Sequence, residues 1–137
     1  MGVSVQPDLD VERLLAPIPD TLDGAGEDPD ETSDTRVADL RDAYRRASDG
    51  DREQEKKGSE ADFGDMNHWQ EVARLEAEVL SDVSKDFGTA ARLIAASTRA
   101  HGLIGLSAGL RVMAGMVEHY WTSGFPKLTG DTWENER

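Results

Sequence analysis

Cysteine is absent from this sequence of 137 residues, so neither disulfide bonds nor thiolate chemistry can contribute to it. A zinc ion could be bound only by His, Asp and Glu side chains. No stretch approaches the roughly 20 consecutive apolar residues of a membrane-spanning helix. Residues 1–15 also lack the basic start and apolar run of a signal peptide. We therefore expect a cytoplasmic protein without membrane insertion.

Basic residues are scarce compared with acidic ones. The chain has 15 Lys and Arg residues against 28 Asp and Glu residues, a formal net charge of -13. This charge opposes binding to nucleic acids and anionic membranes, whose phosphates are neutralised by cations. The imbalance lies mainly in residues 1–66, whose net charge is -11, whereas residues 67–137 carry -2.

The first 34 residues are predicted to form a docking segment followed by an acidic loop. A short helix is expected to begin after Asp8 or Asp10 and to end at Pro17. Its apolar cluster consists of Leu9, Leu14, Leu15 and Ile18. Residues 20–34 are rich in Asp, Glu, Gly and Pro, which favours an extended loop that adds solubility.

From residue 35 onwards the pattern predicts a helical domain that reaches residue 137. A helix is expected to begin near residue 35, and residues 48–66 are interpreted as a linker because they are charged and punctuated by glycine. A second helix is predicted over 68–84. The fold class is therefore all-α: a compact helical bundle with an extended acidic N-terminal segment and a charged linker.

Two further helices complete the predicted bundle. Asp86 is expected to cap the first of them, which ends at His101 and Gly102, and the other reaches about Trp121. Gly105 and Gly109 lie one turn apart, which predicts a close approach by another backbone. The predicted core consists of Trp69, Leu80, Leu93, Ile94, Leu106, Leu110, Met113 and Val117.

One pattern points to catalysis but lacks the necessary context. Residues 105–109 match G-x-S-x-G, in which a turn from strand to helix exposes a nucleophilic serine. Here Ser107 falls inside a predicted helix. A small serine hydrolase that uses Ser107 with His101 or His119 is therefore an alternative and not our main prediction.

The acidic residues suggest two other functions, which are calcium binding and binding of a basic protein. Residues 49–60 imitate the spacing of a calcium-binding loop, but Gln54 occupies the position where that loop needs glycine. We predict no metal site and no cofactor. Residues 20–66 could instead act as an acidic decoy that mimics nucleic acid and binds a basic protein.

Several residues, taken in order and spacing, resemble the ImpA-type N-terminal domain of the TssA family, a component of bacterial type VI secretion systems. The resemblance covers about residues 9–136. It includes residues 14–18 and 26–28 near the start of the chain, and His101 and Ile104 within residues 101–106. The residues that match the family motif most clearly are Trp69, Lys85, Asp86, Gly102, Leu103, Gly105, Leu106, Gly109, Leu110, Tyr120, Trp121 and Pro126.

The resemblance implies a non-enzymatic interaction module at the start of a longer protein. It implies that protein components of the secretion tail or baseplate are the partners, and that the module assists baseplate and sheath assembly. It also implies that the parent protein oligomerises through regions absent from this chain. The family-motif residues would then be structural or interface residues, with no catalytic, cofactor-binding or metal-binding role.

Overall fold

The computed structural model describes residues 9–57 and 66–127. These residues form α1 (Val11–Leu15), a 3-10 helix (Leu22–Gly24), α2 (Thr35–Lys57), α3 (Met66–Asp82) and α4 (Phe87–Tyr120). In the described part of the chain, extended pairing is limited to two isolated β-bridges. The prediction of an all-α helical bundle is confirmed.

Helix α1 is short, and Asp10 fixes its start. The Asp10 side chain accepts a hydrogen bond from the backbone N–H of Arg13 at 3.2 Å, which satisfies an otherwise unpaired donor of the first turn. Of the two predicted starts, the structure therefore has the helix beginning after Asp10. Leu14 is buried, and α1 lies against α3 and α4.

The acidic loop is attached to the bundle by backbone hydrogen bonds. The Glu27 N–H donates to the Val83 carbonyl at 2.9 Å, and the Lys85 N–H donates to the Ala25 carbonyl at 2.7 Å. Ala25 is buried. This corrects the expectation of a merely extended loop, because residues 25–27 pair with the connection between α3 and α4.

Helix α2 is longer than predicted. The interpretation of residues 48–66 as a linker is wrong for residues 48–57, which continue α2, while residues 58–65 lie outside the described residues. The Asp51 carboxylate accepts hydrogen bonds from Trp69 Nε1 at 3.0 Å and from Arg99 Nε at 3.1 Å. The Arg99 guanidinium lies 4.8 Å from the Trp69 ring centroid. These contacts stabilise the helical conformation of residues 48–57, a charged segment whose low apolar content does not predict a helix.

Helix α3 occupies the centre of the bundle and contacts α1, α2 and α4. It begins and ends two residues before the predicted bounds of 68 and 84. The residues with no exposed surface lie mainly on α3 and α4. Among the apolar ones are Val72, Val79, Leu80, Ala90, Leu93, Ala96, Ala108, Val112 and Met116.

Helix α4 is broken at Gly102, where φ is 64° and ψ is -141°. Glycine adopts this conformation readily because it has no Cβ. After the break, residues 103–120 run back along residues 87–101. The Ser97 hydroxyl donates to the Gly105 carbonyl at 3.0 Å. The predicted helix end at Gly102 is therefore confirmed.

The two halves of α4 approach each other closely through glycine. A Cβ on Gly105 would overlap the Ser97 carbonyl group, and a Cβ on Gly109 would lie 3.0 Å from the Ile94 Cα. The predicted close backbone approach is therefore confirmed. By length and average composition α4 is apolar enough to cross a membrane. It is nevertheless broken at Gly102, and its two halves pack on each other.

Candidate interaction surface

The second half of α4 buries glycine and alanine beside a few larger core residues, and it exposes several large apolar side chains. Leu103 is 82% exposed, Leu110 50%, Val117 45% and Ile104 45%. The buried positions of this half are Gly105, Ala108, Gly109, Val112, Gly115, Met116 and Tyr120. Large apolar side chains therefore face away from the bundle over about four turns.

This arrangement overturns part of the predicted core. Leu110 and Val117 are exposed, and Ile94, Leu106 and Met113 are only half-buried. The prediction was wrong because both faces of this helix have apolar residues at helical spacing. Residues 87–101 approach most closely at Gly105 and Gly109, so the face that carries these glycines packs inwards.

We call the outward surface of Leu103, Ile104, Leu106, Ser107, Leu110, Arg111, Ala114 and Val117 the apolar face. A shallow groove of about 390 Å³ runs along it, and Ser107 and Ala114 are among the residues that line the groove. Just beyond the end of α4, Trp121 is 55% exposed. Its ring meets Phe87 edge-on, with 5.8 Å between the centroids.

The charge of the apolar face differs from that of the whole chain. Its residues include Arg111 and no Asp or Glu, although the net charge of the chain is -13. Arg111 is the charged residue among those that line the groove. The face is therefore apolar with one positive charge, and Glu118 follows at its end.

Two family-motif residues, Lys85 and Tyr120, hold α1 against the bundle. The buried Lys85 Nζ donates to the carbonyls of Leu14 and Leu80, both at 2.6 Å. It lies 5.5 Å from the Tyr120 ring centroid, and the Tyr120 hydroxyl donates to the Leu15 carbonyl at 2.7 Å. Burial lowers the pKa of Lys85 to about 8. These two side chains stabilise the fold from inside.

Asp86 and Pro126 lie where the chain enters and leaves α4. Asp86 Oδ2 accepts hydrogen bonds from the Thr89 N–H at 2.8 Å and the Thr89 hydroxyl at 2.7 Å, so the predicted N-cap is confirmed. Phe125 pairs with this region, since its N–H donates to the Lys85 carbonyl at 2.9 Å and its carbonyl accepts from the Phe87 N–H at 2.7 Å. Pro126 follows and is exposed.

The motif residues therefore divide into two sets. The first supports the bundle from within or at a chain break, and consists of Trp69, Lys85, Asp86, Gly102, Gly105, Gly109 and Tyr120. The second contributes to the surface, and consists of Leu103, Leu106, Leu110, Trp121 and Pro126. Three members of the second set lie together on the apolar face.

A family model described as ImpA, N-terminal, type VI secretion system, matches residues 15–137. The chain belongs to this family. The resemblance seen in the sequence is therefore confirmed, and this ImpA N-terminal domain is a type VI secretion system component. No curated protein and no solved structure matches the chain.

The sequence analysis missed a buried acid in this ImpA N-terminal domain. Glu76 of α3 has no exposed surface, and neither of its carboxyl oxygens has a hydrogen-bond partner among the residues that the structure describes. Burial raises the pKa of Glu76 to about 8, and the positive charge of Arg92 offsets only part of this effect. The signal was available, since Glu76 lies four residues after Val72 and four before Leu80, on the apolar stripe of α3.

The geometry around Ser107 differs from that of a serine hydrolase. Ser107 is an exposed residue within α4, and helix lies on both sides of it, so the turn from strand to helix is missing. His119 is exposed and lies 3.9 Å from Glu118. Among the residues that the structure describes, no group of three or more His, Cys, Asp or Glu side chains could hold a metal.

Acids of the proposed decoy segment form ion pairs within the domain. Asp30 lies 2.6 Å from Arg41, and Asp34 lies 2.8 Å from Arg36. Hydrogen bonds from Arg36 hold the pKa of Asp34 below its usual value. These internal pairs reduce the negative charge that residues 20–34 offer to a basic partner.

Proposed function

We propose that this ImpA N-terminal domain is a non-enzymatic adapter that binds other protein components of the secretion system through its apolar face. In this role it assists assembly of the baseplate and tail sheath in the cytoplasm. The observation that carries the proposal is the packing of α4, in which Gly105, Ala108 and Gly109 are buried while Leu103 and Leu110 face outwards.

The size of the exposed apolar side chains favours a binding role. Full burial of a leucine side chain contributes roughly 1.5–3 kcal/mol, and Leu103 is 82% exposed. Single exposed apolar residues are common on protein surfaces, whereas contiguous patches are typical of interaction sites. Leu103, Leu106 and Leu110 are contiguous because they lie three and four residues apart on one helix.

The rigidity of the support also favours binding. Gly105 and Gly109 bring the two halves of α4 into backbone contact, so the apolar face is positioned before a partner arrives. A preformed surface avoids much of the entropic cost of ordering an interface. Oligomerisation of the parent protein through regions beyond this domain would leave the face free for a different component.

The test is capture of individual baseplate and tail components by the purified domain and by its Leu110→Asp variant. We expect Leu110→Asp to weaken capture at least tenfold, because a carboxylate would be desolvated at the interface. Helix content should stay unchanged, since Leu110 is half exposed. Ala38→Asp is the matched control, because Ala38 is an exposed helical residue on α2.

Two results would contradict the proposal. One is equal capture by the original domain and by Leu110→Asp. The other is no capture by the domain, with full capture by a parent protein that lacks it. Ser107→Ala separates this proposal from the hydrolase alternative, since we expect the variant to keep partner binding, whereas a hydrolase would lose its activity.

A further inference from the structure

We infer that the apolar face is a docking site for an amphipathic α-helix of a partner protein. On that partner helix, acidic side chains lie beside the apolar ones. The inference rests on the proposed function, because it specifies the partner of the same surface. Three features of the face support the inference. They are the spacing of its side chains, the hydrogen bonding of its backbone within the helix, and its charge.

Large and small side chains alternate along the face with a seven-residue period. Leu103, Leu110 and Val117 recur every seven residues, and the small residues Ser107 and Ala114 line the groove between them. Seven helical residues rise about 10.5 Å, so the large side chains repeat at that distance. This is the seven-residue period at which two helices interlock their side chains.

An extended peptide fits this surface poorly. Side chains on one face of a strand repeat about every 6.8 Å, which does not match large side chains about 10.5 Å apart. An added strand also needs unpaired backbone groups at a sheet edge. The face instead lies on α4, whose backbone N–H and C=O groups are paired within the helix. From residue 103 to residue 117 the apolar face is about 21 Å long, which corresponds to about four turns of a partner helix.

The positive charge of the apolar face indicates which residues lie beside the apolar side chains of the partner helix. All 28 acidic residues of the chain lie outside residues 87–117, and Arg111 lies in the groove wall. A carboxylate on the partner helix would meet Arg111, while Glu118 lies seven residues further along the same side of α4, beyond Val117 at the end of the face. A second copy of this chain fits less well, because each copy carries a net charge of -13.

The test is site-specific photo-crosslinking in bacteria that assemble the secretion system. A photoreactive amino acid replaces Leu110 in the full protein that carries this domain, and the crosslinked segment is identified by mass spectrometry. We expect a segment of at least about 14 residues that is helical in its own protein, with apolar residues three and four apart and acids beside them. The same substitution at Ala38 is the control.

A charge reversal tests the role of Arg111. We expect Arg111→Glu to reduce the Leu110 crosslink about tenfold, and we expect a Glu→Arg change in the partner helix to restore it. Restoration would separate a specific pair from a general loss of stability. No reduction with Arg111→Glu would overturn the acidic part of the inference.

The remaining outcomes separate this inference from the proposed function. A crosslink to a non-helical segment of a secretion component would overturn the helix inference and leave the adapter function standing. A crosslink to a second copy of the chain would also overturn the inference. Crosslinks to lipid alone, or to no protein, would overturn both.

Discussion

The buried Glu76 makes the stability of this domain depend on pH in a way that one substitution should abolish. In the folded protein burial raises its pKa from 4.5 to about 8, and within the described part of the chain the carboxyl group has no hydrogen-bond partner. Between these two values the folded state holds a proton that the unfolded state has lost. Stability should therefore fall as the pH rises from 4.5 towards 8.

The magnitude follows from the size of the shift. Each pKa unit corresponds to about 1.4 kcal/mol, so the shift costs about 3 kcal/mol at pH 7 and about 4 kcal/mol at pH 8. Such a loss is large compared with the roughly 5–15 kcal/mol by which domains are stable. Above pH 8, Lys85 acts in the opposite direction. Its folded pKa of about 8 lies below the usual 10.5, so the unfolded state binds the extra proton and stability rises with pH.

Urea unfolding of the original domain and of Glu76→Gln, at pH values from 5 to 8, measures this effect. We expect the original domain to lose about 1.4 kcal/mol per pH unit over most of the range, and the glutamine variant to show no comparable slope. Glu71→Gln on the same helix is the control, since hydrogen bonds from Arg74 keep the pKa of Glu71 below 4.5. Equal slopes for the original domain and Glu76→Gln would refute the reasoning.

Three other substitutions test how the bundle is held together. Gly105→Ala should cost about 1–3 kcal/mol, because its Cβ overlaps the Ser97 carbonyl, whereas Ser107→Ala should leave the unfolding midpoint nearly unchanged. Lys85→Met should leave two buried carbonyls without a donor, which should lower the free energy of unfolding by about 1–3 kcal/mol for each carbonyl. Amide hydrogen exchange in α1 should then accelerate. Unchanged exchange would contradict the role of Lys85 in anchoring α1. Asp51→Ala should cost about 1 kcal/mol and reduce helicity by circular dichroism, and full retention of helicity would show that α2 does not depend on this carboxylate.

The helices could be predicted from the sequence wherever the signal is local. Apolar spacing identified α3, Asp86 marked the start of α4, and Gly102 marked its break. Each of these signals depends on residues within a few positions of one another. The far end of α2 could not be found in this way, because Asp51 is held by Trp69 and Arg99, which lie 18 and 48 residues further along the chain.

The candidate interaction surface could be predicted only in part. The family resemblance identified Leu103, Leu106 and Leu110 as structural or interface residues, and periodicity assigned the last two to the core. Lys85 was identified in the same way, but its role as an anchor for α1 depends on a carbonyl 71 residues away.

The sequence by itself determined that this chain is helical and that it belongs to the ImpA N-terminal family, since caps, breaks and motif spacing are written along the chain. The tertiary structure decided which side of the last helix faces inwards. Both sides have apolar residues at helical spacing, and only the side with glycine and alanine lets the neighbouring backbone come close enough to pack.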